Sequence, residues 1–196
     1  MVKSAAVDWA FLAEFIQKPL ATASIAPSSP HLARMIVEHA GLADADAVLE
    51  YGPGTGVLTG YILRELGPQS KFAAIEINPR FAAMFKAAFP GVPLFKDSVE
   101  NVRAICDSLQ FDTVDCVISG LPWALFSESM QITYLDEMMR VLRPGGRFVA
   151  FGYLQSLALP GARRLAALLP TYFTTVSRSP IVWLNFPPAF VYSCRR

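Results

Sequence analysis

The amino-acid sequence predicts an α/β protein with a seven-stranded, mostly parallel sheet and an antiparallel edge strand. Apolar runs of strand length alternate with segments of helical period from residue 47 onward. The two C-terminal strand runs are separated only by a loop, so they are expected to pair antiparallel at the sheet edge. The length of 196 residues favours one domain, with N-terminal helices and a cap segment at residues 1–46 and the α/β core at residues 47–196.

Strands and helices are predicted in alternation along the core. Strands are expected at residues 47–51, 72–76, 93–96, 114–119, 147–153, 172–177 and 189–194. Helices are expected at residues 57–66, 79–89, 99–109, 128–141 and 159–169. Pro79 is typical of a first helical turn, and Pro144-Gly145-Gly146 is expected to turn the chain into the next strand. This alternation predicts βαβ crossovers with helices on both faces of the sheet.

The first 46 residues follow a different pattern. Residues 5–18 are expected to form an amphipathic helix, whose apolar face consists of Trp9, Phe11, Leu12, Phe15 and Ile16. Ser29 followed by Pro30 is typical of an N-cap and a first-turn proline, which predicts a second helix to about His39. The first helix either lies in a membrane interface or packs on the domain as a lid, and the sequence leaves both open.

Composition limits the possible partners and compartment. The net charge is +1, whereas nucleic-acid-binding surfaces usually carry a clear basic excess, so a large nucleic-acid interface is disfavoured. The longest uncharged stretch, residues 179–194, is broken by Pro187 and Pro188 and does not predict a membrane span. Asp8 and Glu14 interrupt the apolar region that a signal peptide requires. We therefore expect a cytoplasmic protein, peripheral on the inner membrane surface.

Cysteine usage agrees with that compartment. Cys106, Cys116 and Cys194 are odd in number and far apart, and no CxxC pair accompanies them. This pattern favours reduced core residues over a disulfide framework or a zinc site. No metal is expected.

The stretch Val48-Leu-Glu-Tyr-Gly-Pro-Gly-Thr-Gly-Val-Leu-Thr59 carries the strongest functional signal. The first strand ends near Glu50, and Gly52, Gly54 and Gly56 form the turn into a helix. Ligands of open α/β sheets bind at such carboxyl ends of strands. A dinucleotide fingerprint would need glycine or alanine at position 57, which is valine, and the Gly-Lys-Ser/Thr of a P-loop is absent.

This Glu-x-Gly-x-Gly-x-Gly pattern resembles motif I of class I S-adenosylmethionine-dependent methyltransferases. The resemblance implies a Rossmann-like fold, S-adenosyl-L-methionine as cofactor and S-adenosyl-L-homocysteine as product. Glu76 ends the second strand, where a carboxylate can accept hydrogen bonds from both ribose hydroxyls. Asp97 ends the third strand, a position that meets the adenine amino group in the family. Ser119-Gly-Leu-Pro-Trp123 ends the fourth strand, where the family keeps the residues beside the reactive methyl.

The resemblance implies two sets of site residues. The expected cofactor-binding residues are Ser28, Ser29, Glu50, Gly52, Gly54, Gly56, Glu76, Ile77, Asp97, Ser98, Val99 and Gly120. The expected catalytic residues are Tyr51, Gly120, Leu121, Pro122 and Trp123. Tyr51 is the candidate to orient an amine or accept its proton. Trp123 either faces a cationic head group or fills the core beneath the active-site loop.

Two methyltransferase families are similar to this chain in different degrees. Ribosomal RNA adenine dimethyltransferases share motif I, but they have Asn-Leu-Pro-Tyr where this chain has Gly120-Leu-Pro-Trp123. Bacterial phospholipid N-methyltransferases resemble it over almost its whole length, including the first helix, Ile25-Ala-Pro-Ser-Ser29 and Pro187-Pro-Ala-Phe-Val-Tyr192. This second resemblance implies stepwise methylation of phosphatidylethanolamine towards phosphatidylcholine.

The same resemblance implies a partner at the membrane. The first helix is expected to bring the enzyme to phospholipid substrate, with no nucleic acid and no obligate protein partner. Two other functions stay open. One is a methyltransferase for rRNA adenine or a small soluble amine, and the other is a non-catalytic lipid- or cofactor-binding module on this fold.

Overall fold

The computed structural model describes residues 28–196. The predicted amphipathic helix at residues 5–18 lies outside the described residues. The described chain opens with α1 (Pro30–Ala40), and the Ser29 hydroxyl accepts a hydrogen bond from Leu32 N at 3.2 Å. Gly41 ends the helix in the left-handed conformation, with φ of 58°. The predicted N-cap and first-turn proline are confirmed.

Seven strands form a single sheet in the order β3-β2-β1-β4-β5-β7-β6. The strands are β1 (Ala47–Tyr51), β2 (Lys71–Ile75), β3 (Leu94–Phe95), β4 (Val114–Ser119), β5 (Leu142–Tyr153), β6 (Thr175–Arg178) and β7 (Ala189–Arg195). The helices that follow α1 are α2 (Thr59–Glu65), α3 (Pro79–Ala88), α4 (Val102–Ser108), α5 (Glu128–Met139) and α6 (Pro160–Tyr172). The strand order reverses between β1 and β4, where open α/β sheets bind ligands.

The pairing directions agree with the predicted topology. Strands β1 to β5 pair in parallel, whereas β7 pairs antiparallel with both β5 and β6. All five residues of β1 are buried, as expected for a parallel strand that is covered on both faces.

Two apolar clusters cover the two faces of the sheet. Leu49 of β1 lies in a cluster with residues of α4, α5 and α6, whereas Val48 lies in a cluster with residues of α1, α2 and α3. This division follows from the alternation of side chains along a strand. The three cysteines are free and buried, as expected of small core residues. Among residues 28–196, no helix has the length and apolar composition of a membrane span.

Four predicted boundaries are wrong from residue 99 onward. The fifth strand begins at Leu142, so Pro144-Gly145-Gly146 lies within it as a wide bulge and not before it. The register passes from Val114 opposite Leu142 to Cys116 opposite Arg147. The bulge is held by tertiary contacts, since Gly145 N donates to the Arg196 carbonyl at 2.8 Å.

The sixth strand begins at Thr175, three residues later than predicted. Helix α6 continues to Tyr172, whose hydroxyl donates to Asp136 Oδ1 on α5 at 2.7 Å. Likewise the predicted helix at 99–109 is divided into a 3₁₀ turn (Val99–Asn101) and α4. The other predicted elements differ from the observed ones by two residues or fewer at each end.

Candidate active site

Backbone hydrogen bonds join the ends of β1, β2 and β4 into one edge. Gly52 N donates to the Ile75 carbonyl at 2.9 Å, and Gly120 N donates to the Tyr51 carbonyl at 2.8 Å. The glycine turn after β1 therefore lies between the end of β2 and the loop after β4. We call this the carboxyl edge of the sheet.

The glycine turn has a conformation that other residues rarely adopt. Gly52, Gly54 and Gly56 have φ values of 66°, 58° and 85°. A Cβ on Gly54 would meet no atom within 4 Å, so a ligand can approach the backbone there. Gly56 has another role, because a Cβ on it would lie 2.3 Å from Phe89 Cε2. Gly56 thus permits close packing of the turn against α3.

Glu76 directly follows β2 and is fixed by two backbone groups. Its Oε1 accepts from Asn78 N at 2.8 Å, and its Oε2 accepts from Gly54 N at 3.1 Å. Burial raises the pKa of Glu76, while these hydrogen bonds act in the opposite direction. Each carboxylate oxygen keeps further acceptor capacity, which fits a pair of adjacent hydroxyl donors.

Glu50 is a second buried carboxyl group at this edge. It is 1% exposed, and the Thr59 hydroxyl donates to its Oε2 at 2.6 Å. Burial raises the pKa of Glu50 to about 8; the Thr59 hydrogen bond lowers it, and the nearby charge of Glu76 raises it. Glu50 is therefore mostly protonated at pH 7, and a cation bound beside it would favour its ionised form.

The end of β3 supplies Asp97 and the turn that follows it. Asp97 Oδ1 accepts from Ser98 N and from Asn101 Nδ2, each at 2.7 Å. Strand pairing places Asp97 near Glu76, since Glu76 N donates to the Phe95 carbonyl at 2.9 Å. Val99 is 6% exposed and packs in the core, so its side chain does not line the edge. Ile77 and Ser98 are half-buried beside Glu76 and Asp97.

The loop after β4 is held by Ser119. The Ser119 hydroxyl is buried and accepts from Leu121 N at 3.3 Å and from Trp123 Nε1 at 2.9 Å. A Cβ on Gly120 would lie 2.6 Å from the Gly52 carbonyl oxygen, so no side chain fits at position 120 without movement of the backbone. Leu121 lies over the glycine turn, because its Cδ2 would be 2.7 Å from a Cβ on Gly52. Pro122 is half-buried in the same loop.

Trp123 occupies the second of its two predicted positions, the core beneath the loop. It is 3% exposed, and its indole meets the rings of Phe126, Tyr134 and Phe148 edge-on at centroid distances of 5.9, 6.2 and 5.6 Å. Gln131 Nε2 donates to the Trp123 carbonyl at 2.8 Å. Trp123 is therefore a core packing residue, and the face of its indole is not accessible to a cationic head group.

The position of Tyr51 in the structure contradicts its expected catalytic role. Its side chain is fully buried and lies in the cluster with Val102 and Cys106, on the face of β1 opposite Glu50. Its hydroxyl has no hydrogen-bond partner among the described residues. Burial raises the pKa of Tyr51 well above its usual value. Side chains alternate along a strand, so Tyr51 points into the core and does not accept a proton from an amine.

Ser28 and Ser29 are half-buried at the start of α1. Ser29 N donates to Asn185 Oδ1 at 2.8 Å, and the Ser29 hydroxyl caps the helix. Asn185 lies just before β7, whose first residue pairs with the last residue of β5. This contact places Ser29 at the carboxyl edge, on the side of β5 and β7.

Sequence reasoning missed four polar residues that hold the edge together: Thr59, Asn78, Gln131 and Asn185. Thr59 is detectable in principle, since a hydroxyl in the first turn after the glycines can face the carboxyl group of Glu50. Asn78 followed by proline is a recognisable N-cap pattern. Gln131 and Asn185 carry no local signal, because their partners are distant in the sequence.

Comparisons with known proteins agree with this geometry. Residues 48–146 match the family described as methyltransferase domain. An ornithine lipid N-methyltransferase from Singulisphaera acidiphila is 30% identical over 188 residues, which are 94% of this chain and 94% of that protein. A dimethyladenosine transferase from Chaetomium thermophilum is 34% identical over 99 residues, which are 50% of this chain and 25% of that protein.

Solved structures show the same fold at low sequence identity. The O-methyltransferase TomG from Streptomyces achromogenes, in complex with S-adenosylmethionine, has a TM-score of 0.68 and 17% identity, covering 94% of this chain and 88% of that one. An O-methyltransferase from Bacillus cereus, in complex with S-adenosylhomocysteine, has a TM-score of 0.66 and 14% identity, covering 86% and 82%. The expected Rossmann-like architecture is confirmed.

Proposed function

The chain belongs to the S-adenosylmethionine-dependent methyltransferases, and on this premise we propose that it methylates a primary amine on a membrane lipid at the cytoplasmic face of the membrane. The proposed substrate is phosphatidylethanolamine, methylated stepwise towards phosphatidylcholine. The near full-length similarity to an ornithine lipid N-methyltransferase is the observation that supports a lipid amine as the substrate class. An ornithine head group also offers a primary amine, so it is the second candidate.

The carboxyl edge fits the cofactor S-adenosylmethionine. The open space at Gly54 admits a ligand against the backbone, and the fixed carboxylate of Glu76 can accept from two ribose hydroxyls. Asp97 lies on the neighbouring strand, where it can accept from an adenine amino group. When bound, S-adenosylmethionine supplies a methyl group on a positively charged sulfur. The buried carboxyl groups of Glu50 and Glu76 favour a ligand of that charge.

The protein must present the amine without its proton. A primary ammonium with a pKa of ~10 is only about one part in a thousand neutral at pH 7. An apolar surrounding lowers that pKa, and Leu121 supplies apolar surface over the glycine turn. The nitrogen lone pair would then form the new bond to the methyl carbon as the bond from that carbon to sulfur breaks, and the proton of the methylated product would leave to water. Alignment of amine and methyl provides most of the catalysis.

The geometry at Gly120 argues against adenine as the acceptor. The adenine enzymes that share motif I have an asparagine at this position, and its side-chain carbonyl would hold the adenine amine. Here the Gly52 carbonyl oxygen occupies the space of a side chain at position 120. The net charge of +1 also offers little attraction to RNA phosphates.

The proposal is tested by offering several acceptors to the purified chain with methyl-labelled S-adenosylmethionine. The arms are vesicles with phosphatidylethanolamine, vesicles with ornithine lipid, unmodified ribosomal RNA, and free ethanolamine. We expect label in lipid, with the two vesicle arms identifying the head group, and none in RNA. Label in RNA or free ethanolamine with both lipids blank would overturn the proposal. A Glu76→Ala sample shows that any label depends on the carboxyl edge.

A further inference from the structure

The segment between β6 and β7 exposes three large apolar side chains. We call residues 179–188 the β6–β7 tip. Trp183, Leu184 and Phe186 are 70%, 69% and 69% exposed. Elsewhere among residues 28–196, the large apolar side chains that count as exposed are Leu63 and Met84, at 37% and 46%. Exposure of this degree is therefore concentrated at one place on the described surface.

The tip is held rigidly from its inner side. Val182 and Asn185 are 7% and 3% exposed, and Asn185 N donates to the Val182 carbonyl at 3.2 Å. Val182 N donates to the Ala189 carbonyl at 2.7 Å, and Asn185 Nδ2 donates to the Pro187 carbonyl at 2.6 Å. These bonds fix the backbone of the turn, so Trp183, Leu184 and Phe186 extend away from the core into solvent.

The composition of the tip allows it to leave water at low cost. Its sequence, SPIVWLNFPP, has no charged residue, and three of its ten residues are prolines without an N–H group. Unpaired N–H groups and charges are what make a loop costly to place in lipid. Tryptophan also prefers the interface between head groups and acyl chains. The exposed cation Arg178 directly precedes the tip and would attract anionic lipid.

The tip stands at the carboxyl edge of the sheet. Ala189, the first residue of β7, pairs with Tyr153 at the end of β5. Ser119, at the end of β4, pairs with Ala150, three residues before Tyr153. The tip therefore begins three residues beyond the level at which β4 ends, on the same side of the sheet as the active-site loop. Asn185 further ties it to Ser29, where the described chain begins.

We propose that the β6–β7 tip inserts into the interfacial layer of a lipid bilayer and turns the carboxyl edge towards the head groups. The bilayer as occupant rests on the proposed function, since a lipid amine must reach that edge from a membrane. The apolar, uncharged and proline-rich composition of the tip supports it independently. The tip is separate from residues 5–18, for which membrane contact was expected from sequence.

Vesicle sedimentation of the full chain tests the proposal. The vesicles contain phosphatidylethanolamine and phosphatidylglycerol, and the test variant is Trp183→Ser with Phe186→Ser. The matched control is Leu63→Ser with Met84→Ser, which removes exposed apolar side chains on α2 and α3. We expect about tenfold weaker partitioning for the tip variant and no change for the control. Equal partitioning of wild type and tip variant would overturn the proposal.

Tryptophan emission gives a second readout. In a Trp9→Phe background the remaining tryptophans are Trp183 and the buried Trp123. We expect a blue shift on addition of vesicles and quenching by lipids brominated in the acyl chains. A Trp9→Phe, Trp183→Phe protein reports Trp123 alone, and subtraction of its spectrum gives the emission of Trp183. If that emission is already blue-shifted without vesicles, the tip is covered by residues 1–27 or by a second copy, and the proposal fails.

These measurements separate the tip from the catalytic assignment. Vesicle binding requires no methyl transfer, so a chain that binds through the tip but labels no lipid would refute the proposed function and retain the tip. If the chain labels lipid but the tip variant binds vesicles as wild type does, the proposed function is retained and the tip proposal is refuted. If both proposals hold, the tip variant keeps its activity on a short-chain, monomeric phosphatidylethanolamine and loses about tenfold on vesicles.

Discussion

The two edges of the parallel sheet hold carboxyl groups in opposite electrostatic states. At the carboxyl edge, burial raises the pKa of Glu50 and of Glu76. At the amino-terminal edge, burial also acts to raise the pKa of Asp115, but hydrogen bonds from Ala47 N and Arg143 outweigh it and the pKa is lowered. The carboxyl groups at one edge therefore have no cationic partner among residues 28–196 and would be favoured in their ionised form by a bound cation, whereas Asp115 at the other edge is already paired with Arg143.

The amino-terminal edge holds a groove lined mostly by polar residues. A groove of about 570 Å³ lies at the amino-terminal edge, and the charged residues that line it are Asp44, Asp46, Lys71, Asp112, Asp115 and Arg143. Within it Asp115 Oδ2 accepts from Asp46 N and Ala47 N, each at 2.9 Å, and Asp115 Oδ1 pairs with Arg143. Asp115 and Arg143 are therefore already paired with each other and do not await a charged ligand. The electrostatic difference between Asp115 and the two glutamates therefore favours the carboxyl edge for a cationic ligand.

The largest effect is expected from replacing the titratable carboxyl group of Glu50. Its pKa is raised from 4.5 to about 8 in the fold, so the folded state binds a proton more tightly than the unfolded state. The contribution of Glu50 to stability therefore falls as the pH rises from 4.5 to 8. Glu50→Gln keeps an acceptor for Thr59, so at pH 8 it should be more stable than wild type by about 3 kcal/mol and at pH 5 nearly equal. Urea unfolding of both proteins at both pH values measures this. The same difference in free energy of unfolding at pH 5 and pH 8 would contradict the prediction.

A somewhat smaller effect is expected on cofactor affinity at Glu76. Removing a charged acceptor costs about 1.5–3 kcal/mol, or roughly ten- to a hundredfold in the Kd of S-adenosylhomocysteine. Calorimetric titration of Glu76→Ala measures the change, and thermal unfolding checks that the fold is retained. Asp115→Asn is the matched control at the other edge, and its Kd should equal that of wild type. Unchanged affinity in Glu76→Ala would remove this residue from the site.

Asp115→Asn should instead lower stability, by about 1 kcal/mol at pH 7, since Arg143 is partly exposed and the pair is screened by water. The lowered pKa of Asp115 means that its stabilisation is present above 3.8, its ordinary pKa, and is lost as the pH falls through its folded value. The difference between wild type and variant should therefore vanish in acid. A difference that grows on acidification would contradict the assignment.

Tyr51→Phe should have the smallest effect. The variant removes a buried hydroxyl that has no partner among the described residues, so stability should change by no more than about 0.5 kcal/mol. Methyl transfer should continue at the wild-type rate. A loss of methyl-transfer rate of about tenfold or more, with the Kd of S-adenosylhomocysteine unchanged, would show that Tyr51 acts on the reacting amine after all.

The sequence predicted most of the fold because the deciding signals are local. The strand runs, the glycine turn and the cap at Ser29 each depend on a few neighbouring residues. The bulge at Pro144-Gly145-Gly146 was missed because it depends on a hydrogen bond to Arg196, which follows β7 and is distant in the sequence. The contact between Ser29 and Asn185, 156 residues apart, is equally invisible to local reasoning.

The expected site residues lie at the carboxyl edge in part, whereas the side chains of Tyr51, Trp123 and Val99 lie in the core. Glu50 and Glu76 were expected at the carboxyl edge, where the structure places them, because a strand end followed by glycines or by a helix cap is a local pattern. Tyr51 was misassigned although strand alternation alone places it on the face opposite Glu50. The orientation of Trp123 depends on packing against Tyr134 and Phe148, which only the assembled fold provides.

The proton balance of cofactor binding tests most directly whether the carboxyl edge is built for a cationic ligand. S-adenosylmethionine is titrated at pH 7 into wild type and Glu50→Gln, in two buffers that differ in ionisation enthalpy. A cation beside Glu50 lowers its raised pKa, so we expect wild type to release more protons per cofactor bound than the variant. Equal proton release by the two proteins would show that Glu50 does not sense the ligand and would contradict the electrostatic contrast between the two edges.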